Sequence, residues 1–202
     1  MTTLHETRQE DKKILEILRR LIHIAGISTI VLAELFGKID LSLIIVSTTI
    51  LYLVSEYLRL HERQLPIIAT ITRLAARKEE TSGWILSPVS YAIGITVALN
   101  LFPRPVNYAA ISVLTVGDGL AALVDMRCGS HLIPYNRRKS MEGSITCFLA
   151  SLISTLTFVD PLTAFLGAVA GTLAESLPTR QAENIIVPMT SGLCMTLALL
   201  FT

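Results

Sequence analysis

Two short motifs in the second half of the chain combine residue types that could hold a phosphate group. The first places Asp118 between Gly117 and Gly119 in an otherwise apolar segment. The second is the run Arg-Arg-Lys-Ser-Met-Glu-Gly-Ser at residues 137–144. Because only a short loop connects the two motifs, we expect them to lie close together.

The second motif is predicted to form the entry of a helix. Ser140 is placed to cap that helix, so the free N–H groups of its first turn would lie beside three basic residues. Gly143 leaves space for a ligand, and Glu142 is placed either to bind Mg²⁺ or to pair with Lys139. The pattern predicts a phosphate site. The alternative interpretation is that the cations only set the topology in a membrane.

Acidic residues also occur inside apolar segments, where a carboxylate is costly and commonly marks a functional site. They are Glu34, Glu56, Asp118, Asp125 and Glu175. All except Glu34 are predicted to lie toward the cytoplasmic ends of their segments. Asp118 and Asp125 are two helical turns apart and share a helix face. The glycines beside Asp118 indicate either close helix packing or an opening of the backbone toward a ligand.

Two weaker elements lie near the ends of the chain. Pro188 follows Glu183 and Asn184 by about one helical turn and can leave the Asn184 carbonyl without its helical donor. Capping explains Asn184 nearly as well. Residues 19–23, Arg-Arg-Leu-Ile-His, stand at the entry of the first apolar segment, where a histidine is either catalytic or an interfacial hydrogen-bonder. The second-rank site candidates are His23, Glu56, Asp125, Glu175, Glu183 and Asn184.

The segments that must position these residues are strongly apolar. The chain has 202 residues, of which 51% are hydrophobic and 16% charged, and its mean hydropathy is +0.59. A soluble domain of this size needs more charge to cover its surface. We therefore predict an all-α, polytopic membrane bundle of about seven helices. The predicted segments are residues 21–37, 41–58, 84–102, 106–126, 143–159, 161–177 and 184–201.

The basic residues predict how this bundle is oriented. They concentrate at the N-terminus and in alternate loops, and the intervening loops contain only Lys38 and Arg104. Because basic loops stay in the cytoplasm, the N-terminus is predicted inside and the C-terminus outside. Residues 1–20 are predicted to form an amphipathic cytoplasmic segment, and residues 21–202 a single transmembrane catalytic domain. A second interfacial helix is predicted in the loop 59–83.

With these motifs in this order, the chain resembles the polyprenol kinase family, which includes dolichol, phytol and farnesol kinases. The resemblance rests on Val-Gly-Asp-Gly-Leu-Ala-Ala at 116–122 and Lys-Ser-Met-Glu-Gly-Ser at 139–144, with weaker support at 19–23 and 91–94. The chain departs from the family pattern at Asp125, where the family usually has glycine. It also has Ala-Glu-Asn at 182–184, where the family has Asp-Asp-Asn.

The resemblance implies transfer of the γ-phosphoryl group of a nucleotide, typically CTP, to the hydroxyl of a membrane isoprenoid or glycerolipid. Catalysis would involve Asp118, Lys139 and Glu142, with Asp118 and Glu142 holding Mg²⁺ or Asp118 accepting the hydroxyl proton. The nucleotide-binding residues that it implies are Gly117, Arg138, Lys139, Ser140, Gly143 and Ser144.

Two other functions stay open at this point. A CTP-dependent cytidylyltransferase would make a CDP-lipid and release pyrophosphate. A small transporter would use Asp118, Glu56 and Glu175 as an ion path. The expected partners are a membrane lipid and a nucleoside triphosphate, with no nucleic acid, and nothing in the sequence indicates an oligomer. The expected location is the plasma membrane of a prokaryote, with the site facing the cytoplasm.

Overall fold

The computed structural model of the protein describes residues 2–61, 83–179 and 182–201, and side chains within these ranges from residue 14 onward. The chain is mostly helical, as predicted. The helices are α1 (Thr2–Ala25), α2 (Ser28–Phe36), α3 (Lys38–Leu60), α4 (Ser87–Leu101), α5 (Val106–Cys128), α6 (Met141–Thr155), α7 (Pro161–Ser176) and α8 (Glu183–Ala198). The strands β1 (Leu132–Ile133) and β2 (Asn136–Ser140) form an antiparallel hairpin between α5 and α6.

The helix boundaries follow local sequence signals. Asp160 accepts hydrogen bonds from the N–H groups of Leu162 and Thr163, both at 3.1 Å, and Pro161 occupies the first turn of α7. Ser140 caps α6 by accepting from the Gly143 N–H at 3.0 Å. The predicted cap at Ser140 is thus confirmed. The predicted first segment, 21–37, is instead divided between α1 and α2 by a turn at residues 26–27.

Helix α5 lies at the centre of the molecule and contains an irregularity that the sequence analysis did not predict. Its residues Val113–Asp118 form a wide π-helical stretch inside an otherwise α-helical segment. Such stretches are rare and commonly lie at functional sites. Side chains of α5 also dominate the hydrophobic core, together with residues of α2, α4 and α8. Asp118 therefore ends the π-helical stretch in the interior of this largely buried helix.

The β-hairpin is the one departure from the predicted all-α fold within the described ranges. It spans residues that the sequence analysis assigned to a loop, and it leads directly into α6. In β2, Arg137 and Arg138 are exposed, whereas Lys139 and Ser140 are buried. The three consecutive cations of the motif thus separate into two at the surface and one in the interior.

Two of the helices are long and apolar enough to cross a membrane by length and composition, namely α3 and α5. Helices α4, α6, α7 and α8 have 15 or 16 residues, which corresponds to about 24 Å or less of helix against roughly 30 Å of hydrocarbon. Large apolar side chains are widely exposed, including Leu35 at 71%, Ile153 at 70% and Leu173 at 63%. The seven-crossing arrangement and its orientation stay predictions.

The N-terminal segment is helical, as predicted, since α1 begins at Thr2. Exposed apolar side chains recur along its described part at Ile14, Leu18, Leu21 and Ile22. Its position on a membrane surface and the division into segments 1–20 and 21–202 stay predictions. The second interfacial helix falls mostly on residues 62–82, which lie outside the described residues.

Candidate functional site

A buried lysine surrounded by acidic side chains forms the centre of the candidate site. The Nζ atom of Lys139 lies 3.3 Å from Asp118 Oδ1 and 3.8 Å from Glu183 Oε1, and it donates a hydrogen bond to Glu175 Oε1. The Lys139 side chain is 9% exposed, and Asp118 and Glu175 are fully buried. We call Asp118, Lys139, Glu175 and Glu183 the central cluster.

Four different elements contribute one residue each to the central cluster. Asp118 closes the π-helical stretch of α5, Lys139 lies in β2, Glu175 is in the last turn of α7 and Glu183 begins α8. The structure thus joins the two motifs, as predicted. It also brings Glu175 and Glu183, the two acidic second-rank candidates from the C-terminal third, next to Lys139.

The lysine keeps its charge in this environment. Burial by itself would lower the pKa of Lys139, but the carboxylates of Asp118, Glu183 and Glu175 outweigh burial and raise it. Lys139 is therefore an ammonium group with three acidic neighbours. The cluster holds more potential negative charge than positive charge, which makes it attractive to a further cation.

Two carboxylate oxygens of the cluster have no hydrogen-bond partner although they are buried, namely Asp118 Oδ2 and Glu175 Oε2. His23 Nε2 is 3.3 Å from Asp118 Oδ2, but it makes its hydrogen bond with the Leu114 carbonyl at 2.9 Å. A buried oxygen without a partner is costly, so such atoms in a native protein require an explanation. A ligand or ion that approaches both carboxylates would provide one.

Two carboxylates of the central cluster could act as ligands of a magnesium ion that substrates help to hold. In the described ranges, no group of three or more His, Cys, Asp or Glu side chains is arranged to bind a metal by itself. Mg²⁺ commonly uses one or two carboxylates and completes its shell with water and substrate phosphates. The unpartnered oxygens of Asp118 and Glu175 supply that number of protein ligands.

Helix α1 closes the cluster on another side through His23. Besides its contacts with Asp118 and Leu114, His23 packs its ring 4.3 Å from that of Tyr91, whose hydroxyl donates to the His23 carbonyl at 2.6 Å. Three residues earlier, Arg20 lies on the same face of α1. Its side chain is 15% exposed, and its Nε lies 3.7 Å from Glu16 Oε1 without making a hydrogen bond. The motif at 19–23 thus reaches the site with a histidine and a cation.

The helix entry predicted to bind phosphate already contains an anion from the chain itself. Asp125 Oδ1 accepts hydrogen bonds from the Ser140 N–H at 2.9 Å and from the Ser140 hydroxyl at 2.6 Å. A Cβ atom at Gly143 would lie only 2.0 Å from the same oxygen. Gly143 therefore makes room for Asp125, and neither Gly143 nor Ser140 presents a free surface to a phosphate. Ser144 lies in the next position, with its hydroxyl oxygen buried and unpartnered.

The glycines beside Asp118 serve helix packing. A Cβ atom at Gly117 would lie 2.1 Å from Ser151 Oγ of α6, and one at Gly119 would lie 2.5 Å from a side-chain carbon of Ile24 of α1. Each glycine lets a neighbouring helix approach Asp118 closely. The packing interpretation explains both positions, and the structure places Gly117 in a helix contact rather than at an open surface.

Glu142 contacts His131 rather than the residues of the central cluster. It accepts hydrogen bonds from the ring and the backbone N–H of His131, and its side chain is 29% exposed. The described contacts of Asp118 and Lys139 do not include it. Glu142 thus faces the surface beside the hairpin, whereas Lys139 turns inward to Glu175. Of the two alternatives for Glu142, pairing with Lys139 is not observed, and Mg²⁺ binding stays a prediction.

Two other candidates have structural contacts that account for them. Glu56 accepts from Arg59 at 2.6 Å and from the Ile85 N–H at 2.8 Å, which joins the end of α3 to the segment before α4. Asn184 donates to Ser90 Oγ at 2.9 Å. A Cβ atom at Gly94 would lie 2.0 Å from the Asn184 carbonyl, so α4 packs closely on the carbonyl that Pro188 deprives of a donor.

The sequence analysis missed Asn136, which fixes the hairpin. Its side-chain amide donates to the Ser176 and Leu177 carbonyls at 2.9 and 3.1 Å, at the end of α7. Tyr135 adds a hydroxyl contact to Ser176 Oγ at 2.9 Å. The available signal was an asparagine three residues before the motif lysine, which is too common a pattern to single out.

Comparison with curated proteins finds relatives among kinases of isoprenoid alcohols. The chain is 34% identical over 122 residues to a probable phytol kinase 3, chloroplastic, of Glycine max, an alignment that covers 52% of this chain and 38% of the relative. It is 34% identical over 142 residues to a phytol kinase of Synechocystis sp., covering 64% and 59% respectively. It is 29% identical over 144 residues to a farnesol kinase, chloroplastic, of Arabidopsis thaliana, covering 62% and 46%.

The chain is related to the polyprenol kinases. This confirms the resemblance that the two motifs indicated. The chain spans less than two thirds of the length of each of these three relatives. No family model matches the chain, and no solved structure matches it.

Proposed function

We propose that the chain is a membrane lipid-alcohol kinase that transfers the terminal phosphoryl group of a nucleotide to an isoprenoid alcohol. The observation that supports this most is the buried ammonium of Lys139 between Asp118 and Glu175, each with one unpartnered oxygen. Phosphoryl transfer requires mainly positioning and charge neutralisation. The cluster offers a fixed cation, carboxylates for a metal and a carboxylate that can accept a proton.

The roles of the residues follow from their contacts. The oxygen of the lipid hydroxyl forms a bond to the γ-phosphorus while the bond to the β-phosphate oxygen breaks. Asp118 would either accept the hydroxyl proton or hold Mg²⁺, the two roles that the sequence analysis leaves open. Lys139 stabilises the charge on the phosphoryl oxygens. Arg20 and Arg138 would contact the outer phosphates. Asp118 and Glu175 would hold Mg²⁺, which when bound neutralises phosphate charge.

The acceptor and the donor are proposed on different grounds. The names of the relatives favour a phytol- or farnesol-type alcohol as acceptor, ahead of dolichol or diacylglycerol. CTP as donor rests on the family resemblance alone. The exposed apolar side chains Met141 and Ile145 on the first two turns of α6 offer a lipid-facing surface directly beside the hairpin. A lipid alcohol and a nucleotide would therefore meet at a membrane rim, in a prokaryotic plasma membrane as predicted from the sequence.

The test is a labelled-nucleotide assay on membranes that contain the protein. Each assay incubates membranes with γ-labelled CTP or ATP together with one acceptor. The acceptors are phytol, farnesol, dolichol and diacylglycerol. We expect the label in the lipid fraction, with CTP preferred and with phytol or farnesol as the best acceptors. Lys139→Ala should reduce lipid labelling by about 100-fold or more, whereas Lys38→Ala, an exposed cation at the start of α3, serves as the matched control.

The rival functions give different results in the same experiment. A cytidylyltransferase leaves the γ-label in pyrophosphate and incorporates an α-label into lipid. A transporter moves solute across sealed vesicles without nucleotide, and Asp118→Asn would abolish that flux. Either result, or lipid labelling that Lys139→Ala leaves unchanged, would reject the kinase proposal.

A further inference from the structure

Lys139 belongs to a short hairpin, and a hairpin of this length is marginal without support from the rest of the protein. β1 has two residues and β2 has five. The ammonium of Lys139 nevertheless has to remain beside Asp118 and Glu175 for the proposed reaction. The structure therefore needs something outside the hairpin that holds the backbone of residue 139 in place.

Two side-chain anchors flank Lys139 and meet this need. On one side, Asn136 donates from its side-chain amide to the Ser176 and Leu177 carbonyls at 2.9 and 3.1 Å. These carbonyls are at the end of α7, where helical donors are lacking, and Glu175 is the adjacent residue. Asn136 therefore ties the hairpin to the same helix turn that supplies Glu175.

On the other side, Asp125 binds the residue that follows Lys139. Its Oδ1 accepts from both the N–H and the hydroxyl of Ser140, at 2.9 and 2.6 Å. The same hydroxyl accepts from the Gly143 N–H and begins α6. A carboxylate at the start of a helix is favoured by the helix dipole. Asp125 lies seven residues after Asp118 on α5, so it ties the hairpin to the helix that supplies Asp118.

We infer that Asp125 and Asn136 are positioning residues that hold Lys139 between Asp118 and Glu175, and that Asp125 takes the place that a nucleotide phosphate would otherwise occupy at the start of α6. This inference rests on the proposed kinase function for its kinetic consequences. Its structural part, the placement of Lys139, is independent of the reaction. The nucleotide phosphates then bind next to Lys139, Arg20 and Arg138, and not at the N–H groups of the first turn of α6.

The first experiment measures kcat and the nucleotide KM for Asp125→Ala and Asn136→Ala. Each variant loses hydrogen bonds that fix one end of β2, so kcat should fall by about tenfold or more while KM stays near the wild-type value. Asp125→Asn retains an oxygen that can accept from the Ser140 N–H, and it should recover most of the lost kcat. A lower nucleotide KM in Asp125→Ala would overturn the inference, because it would mean that phosphate binds where Asp125 had been.

A second variant displaces the same carboxylate without removing its charge. In Gly143→Ala the new Cβ atom would lie 2.0 Å from Asp125 Oδ1 and 2.5 Å from its Cγ, so the carboxylate has to leave Ser140. We expect Gly143→Ala to lower kcat as Asp125→Ala does. A wild-type kcat in Gly143→Ala would contradict the positioning role.

The placement of Lys139 is also tested without any turnover. Wild-type protein in detergent is treated with acetic anhydride, and acetylation of each lysine is mapped by mass spectrometry. Lys139 should resist modification in the wild type, since its side chain is 9% exposed, and it should become reactive in Asp125→Ala and Asn136→Ala. Lys38 provides the exposed reference. Unchanged protection in both variants would overturn the inference even if activity fell. If the wild type labels no lipid but Lys139 responds as expected, the proposed function fails and the positioning inference stands.

Discussion

Buried acidic residues at two places in this protein differ in whether all their carboxylate oxygens have hydrogen-bond partners. Glu56 is fully buried, and its oxygens accept from Arg59 and from the Ile85 N–H. Asp118 and Glu175 are equally buried, but each retains one oxygen without a partner. The sequence analysis treated all three as buried acids that mark a site. Burial alone therefore does not distinguish Glu56 from Asp118 and Glu175, whereas the unsatisfied oxygens do.

The physical reason lies in the cost of an unpaired polar group. Glu56 offsets its desolvation through a cation three residues away on the same helix and a backbone N–H, and Arg59 in turn donates to the Gly83 carbonyl. The result is a closed link between α3 and the segment before α4. The central cluster is instead left with capacity to bind, which is what a site for charged substrates requires. The predictions below test this difference.

The largest effect is expected from Asp118→Asn. The substitution preserves the shape of the side chain but removes the charge beside Lys139 and the proton-accepting oxygen, so lipid-kinase activity should fall by about 100-fold or more. Thermal stability should fall as well, because Asp118 Oδ1 loses its charge opposite the buried ammonium of Lys139. The measurement pairs γ-label transfer to lipid with thermal unfolding in detergent. Glu34→Gln, an exposed acid that pairs with Arg104, is the matched control.

Glu56→Gln should lower stability without lowering catalysis. It weakens charge-assisted hydrogen bonds from Arg59, so the free energy of unfolding should fall by about 1–3 kcal/mol. The kcat of the folded fraction should stay close to wild type. The comparison would break if Glu56→Gln lost activity as strongly as Asp118→Asn while unfolding at the wild-type temperature.

A divalent cation should distinguish the two groups without any substrate. If Asp118 and Glu175 hold Mg²⁺, saturating Mg²⁺ should raise the unfolding temperature of the wild type by roughly 3–5 °C, and EDTA should reverse the change. Glu175→Gln should lose most of this shift, whereas Glu56→Gln should keep it. An equal shift in all three proteins would assign the effect to a cation that binds elsewhere.

Much of this architecture was predictable because it depends on local signals. Apolar runs, Pro161 after Asp160, and Ser140 before an apolar helix each specify a boundary through short-range chemistry, and these boundaries are observed. The joining of the Asp118 and Lys139 motifs was also predictable, since a short connection restricts where the second can lie. The relatives among phytol and farnesol kinases confirm what the motif order indicated.

The unpredicted features depend on contacts between distant residues. The hairpin has no strong strand pattern and is held by Asn136 on carbonyls about forty residues later in the chain. The widened turn in α5 accompanies the contact of His23 with the Leu114 carbonyl. No local pattern shows that Gly143 clears space for Asp125 and not for a ligand. The side-chain direction of Glu142 was likewise set by His131, which is eleven residues earlier and exposed.

The smallest effect is expected at Glu142, which precedes the predicted membrane segment. Its hydrogen bonds with His131 lower the pKa of the Glu142 carboxyl from 4.5 to about 2. A lowered pKa in the folded state adds stability above pH 4.5, and this stability disappears as the pH falls from 4.5 toward 2. The contribution is small, because the pair is exposed to solvent. Thermal unfolding of wild type and Glu142→Gln should therefore differ slightly at pH 6 and converge as the pH approaches 2. If the difference in unfolding temperature grew on acidification, Glu142 would have a buried partner other than His131. That result would place Glu142 beside the central cluster.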